Sequence, residues 1–145
     1  MNTASRILAS KPDQTVHTIA PEASVYDAIV IMAQKGIGAL LVMEGERIAG
    51  IVSERDYARK IVLKGRSSKE TPVRDIMTAK VLFVRPDQTS EQCMAIMSES
   101  RVRHLPVLDG DRLVGLLSIG DLVKDIISEQ RFTIEQLEHY IRGER

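Results

Sequence analysis

The sequence predicts an α+β protein: two tandem βαββα units packed as a pseudo-twofold pair, with a C-terminal helix. Three observations carry this. "GIVSERDYARK", from Gly50 to Lys60, returns as "GLLSIGDLVKD", from Gly115 to Asp125, 65 residues later in a chain of 145. At that offset the halves align without a gap from Val16/Val81 to about Ile61/Ile126. Within each half the apolar pattern runs from a short extended stretch to a helical stripe, then to two stretches joined by a glycine turn, then to a second stripe. Two copies are too few for a solenoid, whose repeats need neighbours on both sides. They suit a pair burying one shared core. The predicted divisions are residues 1–66 for the first unit with its lead-in, 67–130 for the second, and 131–145 for the C-terminal helix.

The elements follow in order. "ASRIL" (Ala4 to Leu8) is a short helical lead-in that "VRDIM" (Val73 to Met77) repeats ahead of the second copy. "VHTIAP" and "VLFVRP" are extended runs ended by proline, the first preceded by four extra residues, "PDQT". Ser24 to Asp27 and Thr89 to Gln92 have capping-box spacing. Each opens a helix, with Val25, Ala28, Ile29 and Met32 on one stripe and Cys93, Met94 and Met97 on the other. Helix core is the simplest reading of these methionines and of Cys93. "ALLVM" and "IAGIV" then form a hairpin through "EGER", as "LPVL" and "LVGLL" do through "DGDR". Asp109-Gly110 suits a type I′ turn, since glycine tolerates the positive φ that turn demands. The second helices carry Tyr57, Ala58, Ile61 and Val62, and Leu122, Val123, Ile126 and Ile127. "LKGRSSKETP" is a polar linker between the copies. Thr133 is placed to cap a last helix, "IEQLEHYI", whose Ile134, Leu137 and Ile141 suit packing or oligomer contact.

Composition narrows the function. Apolar residues at 43% and charged residues at 28% are those of a soluble globular protein. Lysine plus arginine equals aspartate plus glutamate at 20 each, which removes the general drive toward nucleic acid or anionic membrane. With no Trp, two Phe and three Tyr there is little to stack on bases. Cys93 is the only cysteine, so no intrachain disulfide or multi-cysteine metal site can form, and a reducing compartment is expected. "MNTASRILASKPDQ" holds no apolar stretch long enough for a signal peptide, and no run approaches the roughly 20 apolar residues of a membrane helix. The expectation is a cytoplasmic protein. His17, His104 and His139 are scattered and no glycine-rich phosphate loop exists, so neither an enzyme nor a fold that requires metal is expected.

The repeated Ser-x-x-Asp has two readings. As a capping box it needs no ligand. Yet it occurs at the same place in both copies, directly after an apolar strand, where a helix N-terminus can receive phosphate. An ionised aspartate only accepts hydrogen bonds, which matches the two donor hydroxyls of a ribose. Phosphate would then go to the serine, the helix amides and a cation. Arg103 and His104, just before the second hairpin, are candidates; solvated loop residues are the alternative.

These residues carry a resemblance. The duplicated units with "GIVSERD" and "GLLSIGD", together with "RVRHLPVLDGDRLVG" and "VRDIM", resemble a tandem cystathionine-β-synthase (CBS) domain pair, or Bateman module, of the stand-alone bacterial type. The resemblance covers nearly the whole chain. It implies two related clefts between the units that bind adenosyl ligands such as AMP, ATP, NAD or S-adenosylmethionine. It places Ser53 and Ser118 at phosphate, Asp56 and Asp121 at the ribose diol, and Ile37, Gly38, Ala39, Val102, Arg103 and His104 around adenine and phosphate. Thr78 is a further candidate. Copy one departs from the basic pattern, with Gly38 and Ala39 where copy two has Arg103 and His104, so the clefts should be unequal. The expected function is a regulatory module that binds an adenine nucleotide (AMP, ADP, ATP or NAD(H)), forms a homodimer and signals to a partner protein. The alternative is an oligomerisation scaffold with vestigial clefts.

Overall fold

A computed structural model describes residues 2–143. In chain order the first elements are α1 (Ala4–Ala9), β1 (Thr18–Ile19), α2 (Val25–Lys35), β2 (Ala39–Glu44), β3 (Arg47–Ser53) and α3 (Glu54–Tyr57), which runs on as a π-helical turn over Ala58–Val62. After a short 3-10 turn at Val73–Asp75 come α4 (Ser90–Ser100), β4 (His104–Asp109), β5 (Arg112–Ser118) and α5 (Ile119–Ile141). They form two compact units: residues 15–81, and residues 2–14 together with 82–143.

That grouping means the lead-ins are exchanged, which a linear division at residues 66 and 67 does not contain. Val73 and Arg74 donate their amides to Ala23 and Pro21 at 2.8 and 3.0 Å. Ala4 and Ser5 donate to Gln88 and Pro86 at 2.8 and 2.9 Å. The two bonds in each set fall at matching positions of the repeat, so each lead-in caps the helix-entry loop of the other copy. The glycine that opens each repeated motif makes room for it. A Cβ on Gly50 would lie 2.7 Å from Met77 Sδ and 2.8 Å from the Thr78 carbonyl oxygen; on Gly115 it would lie 2.8 Å from both Leu8 Cδ atoms. Gly50 and Gly115 are needed for close approach, not for a turn.

In residues 15–81 the sheet order is β1-β2-β3, with β1 parallel and β3 antiparallel to β2. Its core holds Val25, Ala28 and Met32 of α2, Leu40, Val42 and Val52 of the sheet, and Ile61, Val73 and Ile76. The other unit pairs β4 with β5 and buries Ile7, Val84, Cys93, Met97, Leu105, Leu117 and Leu122. Met32, Met97 and Cys93 are therefore core residues, and burial pushes the Cys93 thiol up from its ordinary pKa.

The expected first strand of copy two shrinks to a single bridge, Val84 to Val107. Pro106 explains this. In copy one the Leu41 amide donates to the His17 carbonyl at 3.4 Å, extending the pairing. Pro106 occupies the matching position and has no N–H to offer Leu82. Helix ends differ too. α2 stops at Gly36 in the left-handed region, but α4 stops at Arg101 with φ 55°, a conformation that costs a side chain about 1–2 kcal/mol.

Three expectations are corrected. Both hairpin loops have positive φ only at Gly45 and Gly110, the first of two central residues, so they fit type II′ and not type I′. Thr133 caps nothing: α5 runs unbroken from Ile119 to Ile141, because nothing between Ser128 and Ile134 breaks a helix, and the Thr133 hydroxyl donates to the Glu129 carbonyl one turn back. Of the second-helix stripes only Ile61 and Leu122 are buried, whereas Ala58, Val62, Val123 and Ile127 are exposed. Among the capping boxes, Thr89–Gln92 is complete, while Ser24 accepts from the Asp27 amide without the return bond.

Gly50→Ala should destabilise the fold by about 1–3 kcal/mol, since a fixed backbone oxygen opposes the new methyl. Gly115→Ala should cost less, because Leu8 can change rotamer. Urea unfolding of both variants checks the order, and equal losses would refute the distinction.

Candidate ligand site

Each unit brings its Ser-x-x-Asp and its pre-strand segment together at one end of its hairpin. Ser53 ends β3 and caps α3; Ser118 ends β5 and caps α5. The strand register sets Ala39 opposite Ser53 and His104 opposite Ser118. Just beyond it, the Glu54 amide donates to the Gly38 carbonyl at 3.0 Å and the Ile119 amide to the Arg103 carbonyl at 2.9 Å. Ile37 and Gly38 are half-buried and Ala39 is buried, as Val102 and His104 are half-buried and Arg103 exposed. Thr78 lies beside the first of these sites: it exchanges backbone hydrogen bonds with Ile51 at 2.8 and 3.0 Å.

The capping reading of the motif holds in both copies. The Asp56 amide donates to Ser53 Oγ at 3.2 Å and Asp56 Oδ2 accepts from the Ser53 amide at 3.0 Å and its hydroxyl at 3.1 Å. The Asp121 amide donates to Ser118 Oγ at 3.1 Å, and Asp121 Oδ2 accepts from the Ser118 amide at 2.8 Å. These bonds fix both carboxylates at a helix N-terminus, one per unit.

A lysine completes each arrangement. Lys60 Nζ stands 3.2 Å from Asp56 Oδ1 and donates to the Ile76 carbonyl at 2.8 Å. Lys11 Nζ stands 3.1 Å from Asp121 Oδ2 and donates to the Leu116 carbonyl at 3.1 Å. The carboxylates are mostly covered, at 14% and 15% exposure. Sequence reasoning missed both lysines. Lys60 was legible as a cation four residues after an aspartate on a helix. Lys11 was not, because it comes from the exchanged lead-in and has no local relation to Asp121. The two lysines occupy different places in the repeat yet supply the same charge. Asp121 and Lys11 also edge an open depression of about 720 Å³ between α1 and α5, whose wall includes Arg6, Lys124 and Asp125.

His104 differs from the cation that its place beside Arg103 suggests. Burial holds its pKa below the ordinary 6.5; nearby Asp121 raises it, and Lys11 and Arg103 lower it further. The imidazole is neutral at pH 7, so Arg103 is the charged member of the pair. Chemically, each unit offers an acceptor carboxylate, a serine hydroxyl, helix amides and a lysine ammonium. Among the described residues no three His, Cys, Asp or Glu side chains are grouped to hold a metal, and no helix is long and apolar enough to cross a membrane.

A family profile described as "CBS domain" matches residues 7–63 and 73–128. The chain is similar to the solved structure of a CBS-domain protein from Burkholderia ambifaria MC40-6, whose description suggests signal transduction. Identity is 60%, coverage 89% of this chain and 96% of that one, and TM-score 0.86. The hexameric CBS-CP12 protein of bloom-forming cyanobacteria is 30% identical, covering 85% of this chain and 70% of that one, with a TM-score of 0.74. The mitochondrial CBS domain-containing protein CBSX3 of Arabidopsis thaliana is 43% identical over 125 residues, 83% of this chain. The chain spans 61% of that relative's length.

The depressed pKa of His104 makes stability depend on pH in a set direction. Its folded value lies below its unfolded one, so the unfolded chain binds more protons between the two. The contribution is full above the unfolded value and is lost as pH falls through the folded one. Unfolding midpoints should therefore drop as pH falls below about 6.5. His104→Gln should flatten that part of the profile; an unchanged slope would assign it to other groups.

Proposed function

The chain belongs to the CBS domain family, and from that premise we propose that it is a regulatory module that binds an adenine nucleotide and passes the occupancy to a partner protein. One observation carries this: two helix N-termini, one per unit, each hold a covered aspartate beside a lysine, with the pre-strand segment tied alongside. A ribose diol supplies two hydroxyl donors and fits an acceptor-only carboxylate. The lysine keeps the carboxylate neutralised, so the site does not repel phosphate. Displaced by the diol, its ammonium can swing to the phosphate with Arg103. His104 contributes a neutral ring nitrogen, as donor or acceptor. Ser53 and Ser118 border the phosphate, and Ile37, Gly38, Ala39 and Val102 border the base, with Thr78 beside the first site. AMP, ADP, ATP and NAD(H) all contain the required adenosine and phosphate. The signal-transduction role suggested for the Burkholderia relative supports a regulatory duty, and the hexameric cyanobacterial relative supports self-association, here as a homodimer.

A second reading is favoured by a specific observation. Serine and aspartate already satisfy each other and the lysine, so the junctions could be purely structural and the protein a scaffold. The experiment that separates the two is a thermal-shift series with AMP, ADP, ATP, NAD and NADH. At 100 times Kd a ligand adds about 2.7 kcal/mol, which should raise Tm by roughly 5–10 °C. No shift with any of them at millimolar concentration would leave the scaffold.

Arg103→Ala should weaken AMP by about 1.5–3 kcal/mol, the worth of a hydrogen bond to a charged group, and leave adenosine nearly unchanged. Calorimetric titration of both ligands checks it. Equal losses would mean that Arg103 supports the base or the fold.

A further inference from the structure

We infer that the distal part of α5 forms a parallel, two-stranded coiled coil with the same helix of a second copy of this chain. The helix is 23 residues long, yet its one buried residue, Leu122, lies in the first turn. From there it carries Val123, Ile127, Gln130, Ile134, Leu137 and Ile141, spaced four, three, four, three, four. That is a heptad seam with isoleucine at each a position, valine and leucine at d, and one polar residue, Gln130, at d. The five apolar members are 43% to 81% exposed. The side facing the helix's own unit is marked by Leu122 with half-buried Asp125 and Ile126. At 100° per residue, the centre of the seam lies about 105° around the helix from that side. It is therefore a separate face, and its 3.5-residue period, not 3.6, is the one that keeps a stripe against another helix over several turns.

The second copy's own α5 fits this face because the pattern is complementary to itself. Isoleucine at a with leucine at d favours two parallel strands. In register, each apolar residue meets its own counterpart and Gln130 meets Gln130, whose amides can bond each other. In an antiparallel pair, a faces d, so Gln130 would be set against an isoleucine. The flanks agree. Lys124, Arg131 and Glu138 take the e positions, and the facing g residues Ile119, Ile126 and Thr133 are uncharged, so no like charges oppose across the seam. The lysine and arginine stems can cover the facing isoleucines. This inference does not depend on nucleotide binding, and it assigns a surface that homodimerisation alone leaves open.

The test uses the full chain with single cysteines added; native Cys93 is buried and should stay silent. Leu137→Cys should give a covalent dimer as the main product with a short bis-maleimide or on mild oxidation, whereas Phe132→Cys, on the outer f position, should stay mostly monomeric on a denaturing gel. Ile134→Glu with Leu137→Glu should weaken self-association by roughly a hundredfold in sedimentation, since it buries charges against their own copies. Its thermal response to AMP should match wild type. A Leu137→Cys protein that does not cross-link, or a Phe132→Cys protein that cross-links equally, overturns the coiled coil even if the chain remains a dimer through another surface. An unchanged association constant in the double variant overturns it as well.

Discussion

Each Ser-x-x-Asp junction depends on one carboxylate that must serve two cations of different kinds: the partial charge of a helix N-terminus and the full charge of a lysine. The capping bonds hold Asp56 and Asp121 in place, and Lys60 and Lys11 pair with them at 3.2 and 3.1 Å. Remove the cap and the helix entry loosens; remove the lysine and a covered negative charge stands alone. The rest of each unit is arranged around that junction. The glycine three residues before the serine admits the lead-in, and the lead-in of one unit delivers Lys11.

The junction also explains why a capping box and a ligand site need not compete. A cap uses one oxygen of the carboxylate. In copy one the lysine takes the other oxygen, and the proposed diol would have to displace that lysine. In copy two the amide and the lysine share Oδ2. Unequal occupation of the two aspartates, together with Arg103 and His104 standing where copy one has Gly38 and Ala39, gives the proposed sites different chemistry on the same frame. Arg101 and Pro106 show the same drift, each departing from a residue that served the backbone better in copy one, Gly36 and Leu41.

What could be read from the sequence was what local rules govern. The glycine hairpins, the Thr89–Gln92 cap and the core placement of Met32, Met97 and Cys93 all follow from spacing of fewer than ten residues, and the repeat offset of 65 shows in direct residue identity. The misses come from elsewhere. Lys11 reaches Asp121 across 110 residues of chain, and no periodicity connects them. The loss of a strand at Val81 to Pro86 was written not in that segment but in Pro106 of its neighbour. Thr133 looked like a start signal because a cap and a tolerated mid-helix threonine are the same residue; only the absence of a breaker before it decides. Val123 and Ile127 matched a core stripe because apolar spacing of three and four residues marks one face of a helix without saying what covers it.

The central claim is that these carboxylates exchange a lysine for a ribose diol, and a crystal structure of the chain soaked with AMP measures this most directly. The expected result is ribose hydroxyls within hydrogen-bond distance of Asp56 or Asp121, with the corresponding lysine Nζ moved off the carboxylate toward phosphate. A nucleotide bound with both lysine–aspartate pairs intact, or bound away from both aspartates, contradicts it.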